Sequence, residues 1–151
     1  MPPPDALVLL DTSVVIQLAR DKEVGRRIRE QLAIERRRER PLVSIVTVGE
    51  CLALARQFAW NDQKLAGMKS LLERFIVVDV SQPGVLDRYA EITQHARGVG
   101  QAPGDNDRWI AATASVTQAW LATTDKDFDF LDPSFLRRVW FDPRRAEERG
   151  S

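Results

Sequence analysis

The chain has 151 residues, which is enough for one domain that buries a single hydrophobic core without disulfides or structural metals. Its 22 basic and 22 acidic residues balance, so bulk charge indicates neither a strongly basic nucleic-acid binder nor an acidic disordered chain. The single cysteine, Cys51, excludes an internal disulfide, and together with a single histidine it argues strongly against a zinc site.

Short apolar runs alternate with stretches of helical periodicity along the chain. Residues 7–10, LVLL, form a continuous apolar run that is typical of a parallel strand buried on both faces. In chain order the predicted elements are strand 7–10, helix 12–20, helix 23–40, strand 41–46, helix 47–59, helix 61–75, strand 75–80, helix 83–98, helix 107–118, strand 120–124 and strand 137–141. This alternation predicts an α/β fold, with a parallel sheet of four to five strands flanked by helices.

A single folded domain is predicted to span residues 7–142. Residues 1–6 are then an N-terminal extension, and residues 143–151 form a charged, frayed C-terminal tail. The N-terminus lacks the pattern of a signal peptide, and no apolar run approaches the ~20 residues needed to span a bilayer. We therefore expect a cytoplasmic protein that makes no membrane contact.

Four acids stand at the junctions between predicted strands and helices. Asp11 ends the first strand, and Glu50 lies near the start of the helix after the second strand. Asp107 opens a later helix, and Asp125 ends the strand that follows that helix. Because ligand sites of parallel α/β sheets lie at the carboxyl ends of the strands, we expect these four carboxylates to gather there.

The lengths of the last elements test whether Asp125 returns to the level of Asp107. A helix of about 11 residues from Asp107 descends roughly 16 Å, and a strand of about five residues climbs a similar distance. The preceding helix, 83–98, is expected to descend as well, so the loop after it must carry the chain back up. About nine extended residues span up to roughly 30 Å, which is sufficient.

Four carboxylates brought together repel one another, and they hold protons or cost stability unless a cation lies among them. Oxygen ligands without histidine or cysteine select a hard divalent ion, Mg²⁺ or Mn²⁺, over zinc or copper. Such an ion activates water and neutralises the leaving group in phosphodiester hydrolysis. The joint placement of the acids therefore favours a metal-dependent phosphodiesterase site.

Each acid taken alone also has an ordinary structural interpretation. Asp11 suits the N-cap of the helix that follows it, and the T-x-x-E pattern from Thr47 to Glu50 matches a capping box. The acidic turn after Asp125 is of a kind that is usually only solvated. Its D-x-D-x-D spacing does not continue as an EF-hand loop, because no glycine follows.

The sequence resembles the PIN-domain nucleases, particularly the VapC toxins of bacterial toxin–antitoxin pairs. Four segments carry the resemblance over residues 7–142, in the family's order and spacing: LLDTSVVI, SIVTVGE, NDRWIAATA and LATTDKDFDFL. The first two motifs are loose, whereas the last two together are specific. The resemblance implies a PIN-like domain.

The resemblance also implies roles for individual residues. Asp11, Glu50, Asp107 and Asp125 match the family's catalytic, metal-binding acids. The supporting positions are a further acid and two small polar residues: Asp127, Ser13 and Thr124. The implied activity is Mg²⁺- or Mn²⁺-dependent endoribonuclease cleavage of a structured RNA such as tRNA. The implied partners are a cognate antitoxin and a second copy of the chain in a homodimer.

Basic residues are needed near such a site, since acids alone cannot attract a polyanion. Residues 20–40 hold nine basic and five acidic residues, and Arg36, Arg37 and Arg38 in this segment are the first candidates for RNA contact. Arg108, where the family usually has an apolar residue, could contact a substrate phosphate or pair with an acid.

Two other functions remain open from the sequence. A phosphatase with an aspartate nucleophile after its first strand would use Asp11, although it usually has another acid where this chain has Ser13. A catalytically inactive PIN-like module that binds RNA or protein is the other alternative, and the presence of all four acids argues against it. A dinucleotide-binding role is disfavoured because no G-x-G-x-x-G follows a strand.

Overall fold

The computed structural model describes residues 1–149, in which one sheet of five parallel strands is covered by helices on both faces. The strands are β1 (Val8–Leu10), β2 (Leu42–Ser44), β3 (Ile76–Val78), β4 (Trp120–Thr123) and β5 (Arg137–Trp140). The helices are α1 (Thr12–Arg20), α2 (Glu23–Leu32), α3 (Ile45–Gln57), α4 (Asp62–Glu73), α5 (Val85–Gly98), α6 (Asp105–Thr117) and α7 (Ala146–Arg149). The predicted α/β class and parallel sheet of four to five strands are confirmed, and the sheet has five strands.

The two faces of the sheet carry separate halves of the hydrophobic core. Val8 and Leu10 of β1 pack with helices α1 to α4, whereas Leu9 packs with α5 and α6. In β4, Ala122 and Leu121 divide between the two faces in the same way. Successive side chains of a strand point to opposite faces, so a strand covered on both sides must be apolar throughout.

The strand order β3-β2-β1-β4-β5 makes the first strand of the chain the central one. All strands run in the same direction, so their C-termini lie together at what we call the carboxyl end of the sheet. The Asp11 amide donates to Ala122 O at 2.9 Å, which continues the ladder one residue beyond β1. Asp11 therefore stands in the middle of the carboxyl end.

Helix α5 runs toward the carboxyl end, opposite to the predicted direction. The start of α5 lies beside the end of α6, where Gly84 is close to Val116. Further along α5, Thr93 Oγ1 accepts from Arg108 Nη1 at 2.9 Å, near the start of α6. The two helices are antiparallel, so the descending connection is the segment before α5. The loop 99–104 needs no climb, and it lies at the carboxyl end itself.

The predicted helix 23–40 is wrong in its second half. Helix α2 ends at Leu32 because Ala33 adopts a left-handed conformation with φ 51°. A single 3-10 turn follows at residues 34–36. Arg37 Nη1 then donates to Leu32 O at 2.8 Å and satisfies one of the terminal carbonyls of α2. The arginine run therefore lies in a connection and not on a helical face.

The C-terminal tail was expected to be frayed, but residues 146–149 form one turn of helix, α7. The Ala146 amide donates to Glu23 Oε1 at 3.0 Å, which ties this turn to the start of α2. The same expectation for Gly150 and Ser151 lies outside the described residues. Over residues 1–149, the helices are too short or too polar to cross a membrane.

Gly25 provides a test of the contact between α1 and α2. A Cβ at Gly25 would lie 2.1 Å from Gln17 O, so Gly25→Ala must push the two helices apart. We expect this substitution to lower the free energy of unfolding by about 2–3 kcal/mol, as overpacking does in other cores. Urea denaturation followed by circular dichroism measures the change.

Gly67 is the matched control, because it lies inside α4 with nothing within 4 Å of its Cβ position. Gly67→Ala should raise the free energy of unfolding by up to about 1 kcal/mol through helix propensity alone. Equal effects of the two substitutions would contradict the close approach of α1 and α2.

Candidate metal centre

Asp11 is buried at the carboxyl end of the central strand, with 4% of its surface exposed. Its Oδ1 accepts from the Thr12 amide at 2.8 Å, which caps helix α1. Its Oδ2 accepts from the Ser13 hydroxyl at 2.9 Å and from the Thr123 hydroxyl at 2.8 Å. The residue therefore caps helix α1, and its carboxylate is held in place by hydrogen bonds from α1 and β4.

Glu50 reaches this group through Thr12. Thr12 Oγ1 donates to Glu50 Oε1 at 2.7 Å and lies 3.1 Å from Thr47 Oγ1. The cap of α3 is Ser44, whose Oγ accepts from the Val46 amide at 3.1 Å. The capping box that the sequence predicted at Thr47 is therefore wrong, and the Glu50 carboxylate is directed toward α1.

Asp107, Asp125 and Asp127 form a compact group of acids beside Asp11. One carboxylate oxygen of each lies within 4.8 Å of the others, and this is the only such acidic trio among the described residues. The Asp125 side chain also accepts from the Asp127 amide at 2.8 Å, which fixes the turn after β4. Asp127, expected only as a supporting acid, thus belongs to the group that can share an ion.

Burial and mutual repulsion disfavour the charged forms of Asp11, Asp107 and Asp127. Burial raises the pKa of Asp11 to about 6, and the charge of Asp125 adds to this, while hydrogen bonds oppose it. Burial raises the pKa of Asp107 to about 7, and the charge of Asp11 is the largest of the electrostatic additions. The charge of Asp125 raises the pKa of exposed Asp127.

No side chain of the described part of the protein neutralises this group. The ion pairs over residues 1–149 involve none of the five acids: Asp11, Glu50, Asp107, Asp125 and Asp127. The donor set consists of carboxylate oxygens, which are the ligands that Mg²⁺ and Mn²⁺ prefer. Clustered carboxylates that have raised pKa values and lack a cation fit a divalent metal ion.

The supporting hydroxyls differ from those inferred by resemblance. Ser13 acts as expected, since its hydroxyl donates to Asp11 and accepts from the Thr124 amide at 3.2 Å. Thr124 contributes this backbone amide, whereas the hydroxyl that binds Asp11 belongs to Thr123. Thr123 Oγ1 also accepts from the Asp125 amide at 2.9 Å.

Thr123 could have been found from the strand period. Residues two apart share a face of a strand, so the side chain that accompanies Asp125 is that of Thr123 and not of Thr124. Thr12 carried no comparable signal, because its hydroxyl meets Glu50 and Thr47 only through the packing of α1 against α3.

The arginine run expected beside the acids lies at the opposite end of the sheet. Arg37 donates to Ala6 O at 3.1 Å and to Pro3 O, which ties the N-terminal extension down before β1 begins. The five residues from Ala6 to Asp11 span about 16 Å of extended chain. The prediction that Arg36, Arg37 and Arg38 flank the acids is therefore wrong.

Arg108 follows Asp107 in sequence but turns away from it. Arg108 Nη1 donates to Thr93 Oγ1 at 2.9 Å, and its other amino group pairs with Asp105. Its guanidinium also lies over the Tyr89 ring at 4.9 Å. The question raised by the sequence is answered in part: Arg108 pairs with an acid, but with one outside the metal centre.

The raised pKa values predict how the stability of the metal-free protein depends on pH. An acid whose folded pKa lies above its ordinary value of 3.8 contributes stability that is fully present below about pH 4. That contribution is lost as the pH rises through about 6 for Asp11 and about 7 for Asp107. The free energy of unfolding in EDTA should therefore fall between pH 5 and pH 8.

Asp11→Asn should reduce this fall by roughly 1 kcal/mol, because asparagine carries no titrating carboxyl. Glu39→Gln, at an exposed position before β2, is the matched control and should leave the fall unchanged. Urea melts at both pH values provide the measurement. An unchanged pH dependence in Asp11→Asn would show that Asp11 does not titrate in this range.

Comparisons with known proteins agree with this architecture. No curated protein sequence matches the chain. The fold is similar to that of VapBC2 from Rickettsia felis bound to a promoter DNA fragment, with a TM-score of 0.76 and 20% identity over 90% of this chain and 99% of the other.

Two Mycobacterium tuberculosis structures are also similar. For VapBC-5, of the VapBC family of toxin–antitoxin systems, the TM-score is 0.64 with 24% identity over 89% of this chain and 98% of the other. For VapC20, a toxin that cleaves the sarcin–ricin loop, the TM-score is 0.64 with 12% identity over 83% of this chain and 95% of the other. A family model described as PIN domain matches residues 8–132. The chain therefore belongs to the PIN domain family.

Proposed function

We propose that this protein is a metal-dependent endoribonuclease and the toxin of a toxin–antitoxin pair, with a structured RNA such as tRNA as substrate. The observation that carries the proposal is the acidic trio at the carboxyl end of the sheet, joined electrostatically to Asp11 and Glu50. A group of this kind has no structural benefit of its own, because its members repel one another.

Asp11, Glu50, Asp107 and Asp125 are the residues that would hold Mg²⁺ or Mn²⁺. Asp107 and Asp125 form the trio with Asp127, whereas Asp11 and Glu50 lie outside the trio and act on Asp107 through their charge. A bound divalent ion supplies activation of water and charge neutralisation at the phosphate. The protein's own part is to fix the acids: the Ser13 and Thr123 hydroxyls orient Asp11, and Thr12 orients Glu50. Such partners of ligands set both geometry and affinity.

The comparisons support the partners of this proposal. VapC20 is described as cleaving the sarcin–ricin loop, an RNA, and its fold is shared by this chain. Several similar structures are complexes named VapBC, one of them a member of a toxin–antitoxin family. By this likeness the protein would bind a cognate antitoxin. The proposal also includes a homodimer and action in the cytoplasm.

An aspartate-nucleophile phosphatase fits the site less well. Enzymes of that class usually have a second acid two residues after the nucleophile, and here that position is Ser13, whose hydroxyl donates to Asp11 Oδ2 at 2.9 Å. The alternative of a binding module without activity is opposed by the complete set of acids. RNA binding without turnover at saturating Mn²⁺ would favour that alternative.

Asp107→Asn tests the metal-dependent cleavage. The substitution removes one charge from the trio, so we expect cleavage of bacterial tRNA and ribosomal RNA in Mn²⁺ to fall by about 100-fold or more, beyond the 10–100-fold typical of outer partners. EDTA should abolish wild-type cleavage. Asp62→Asn, at an exposed position of α4, is the control that should retain activity. Cleavage by Asp107→Asn in EDTA would refute the proposal.

Thr123→Val and Thr124→Val form a matched pair. Thr123→Val removes the hydroxyl that donates to buried Asp11, so we expect cleavage to fall by 10- to 100-fold and to require more Mn²⁺. Thr124→Val keeps the backbone amide that donates to Ser13, and it should lower cleavage by less than about threefold. Initial rates over a range of Mn²⁺ concentrations distinguish them. A greater loss in Thr124→Val would contradict the assigned roles.

A further inference from the structure

An RNA substrate needs positive charge near the acids, because carboxylates repel a phosphate backbone and Lys and Arg contacts supply much of RNA affinity. The arginine run that the sequence offered for this role lies at the other end of the sheet. Since α5 runs toward the carboxyl end, its last turn brings Arg97 to that end of the sheet, and the loop 99–104 adds Gln101.

A cavity of about 270 Å³ lies between the last turns of α5, the loop and the first turn of α6. Its polar lining consists of Thr93, Arg97, Gln101 and Arg108, and no carboxylate lines it. Asp107, one residue before Arg108, belongs to the acidic trio. A cationic cavity thus lies at the carboxyl end of the sheet, where the acids also lie.

Arg108 forms a fixed wall of this cavity. Its guanidinium is held by Thr93 and by Asp105, and it lies over the Tyr89 ring. Tyr89 in turn stacks on Trp109, with ring centroids 3.8 Å apart. The positive charge of Arg108 is therefore fixed in position before any ligand arrives, although Asp105 offsets part of it.

Arg97 differs from Arg108 because it is exposed and uncommitted. Among residues 1–149, no carboxylate lies within ion-pair distance of its guanidinium, and no side-chain hydrogen bond holds it. Lys126 is also near the acids, but it lies over the Trp140 ring at 4.5 Å and between Asp125 and Asp127 in sequence. Arg97 is therefore the better-placed free cation.

We propose that this cavity binds a backbone phosphate of the RNA close to the scissile bond, with Arg97 and Gln101 as its ligands and Arg108 as a fixed positive wall. The assignment rests on the proposed ribonuclease function. The cavity is smaller than the usual small-molecule pocket and lacks an aromatic stacking face in its lining, so it suits a phosphate rather than a base. A phosphate contact fixes the register of the strand and does not read its sequence.

The experiment measures binding apart from cleavage. A fluorescently labelled 20-nucleotide oligouridine is titrated with protein in EDTA at several salt concentrations, and anisotropy gives Kd. Arg97→Gln should weaken binding three- to tenfold at 0.1 M salt. It should also lower the slope of log Kd against log salt by about 0.7, the value for one phosphate on a single strand. Gln101→Ala should weaken binding with little change in slope.

Arg38→Gln is the matched control, because it removes the same charge from an exposed position in the arginine run. It should leave Kd within twofold of wild type. The assignment would be overturned if Arg97→Gln bound with the same Kd as wild type, or if Arg38→Gln weakened binding as much as Arg97→Gln. It would also be overturned if wild type did not bind the oligouridine. Thermal melts confirm that the variants fold.

Failure of the proposed function has a different signature. If wild type binds the oligouridine through Arg97 but cleaves no RNA in Mn²⁺, the cavity remains a site for an RNA phosphate, whereas the nuclease proposal and the link to a scissile bond fall. If wild type cleaves RNA and Arg97→Gln binds the oligouridine as well as wild type, the nuclease proposal stands and the cavity assignment falls.

Discussion

The buried carboxylate of Asp11 is the constraint on which the rest of the carboxyl end depends. It ends the central strand, so neighbouring strands and helices surround it on both sides. A charge in that position costs free energy unless it is hydrogen-bonded and paired. The protein meets the first requirement with one amide and two hydroxyls, and no cation of the described chain meets the second.

The hydrogen-bond donors to these acids are neutral, so they leave the negative charge of the site in place, whereas arginine or lysine would cancel it. Hydroxyls from α1 and β4 satisfy the oxygens of Asp11 and Glu50 without cancelling their charge. The negative charge therefore remains concentrated where Asp107, Asp125 and Asp127 come together, and it adds to burial, the larger cause, in raising the pKa of Asp107. An arrangement that gives up electrostatic stability in this way is typical of a functional site.

The strands and the clustering of acids were accessible to sequence reasoning because they follow local rules. A buried parallel strand must be apolar, and acids after such strands share one end of the sheet. The direction of α5 was not accessible, since the predicted strand 75–80 and helix 83–98 left only two residues between them, whereas residues 79–84 connect β3 to α5 in the structure. The predicted position of Arg36, Arg37 and Arg38 beside the acids was also wrong. The helical spacing of the sequence continues past Leu32, but the left-handed conformation of Ala33 ends the helix.

The reversal of α5 changes which charges matter. Had α5 descended, its last turn would lie beside the arginine run, and the metal centre would have no uncommitted arginine from α5 near it. Because α5 ascends, Arg97 and the wall formed by Arg108 lie at the same end of the sheet as the acids. A chain with no net charge can thus offer both signs at one site, because long-range attraction depends on the local distribution of charge and not on its total.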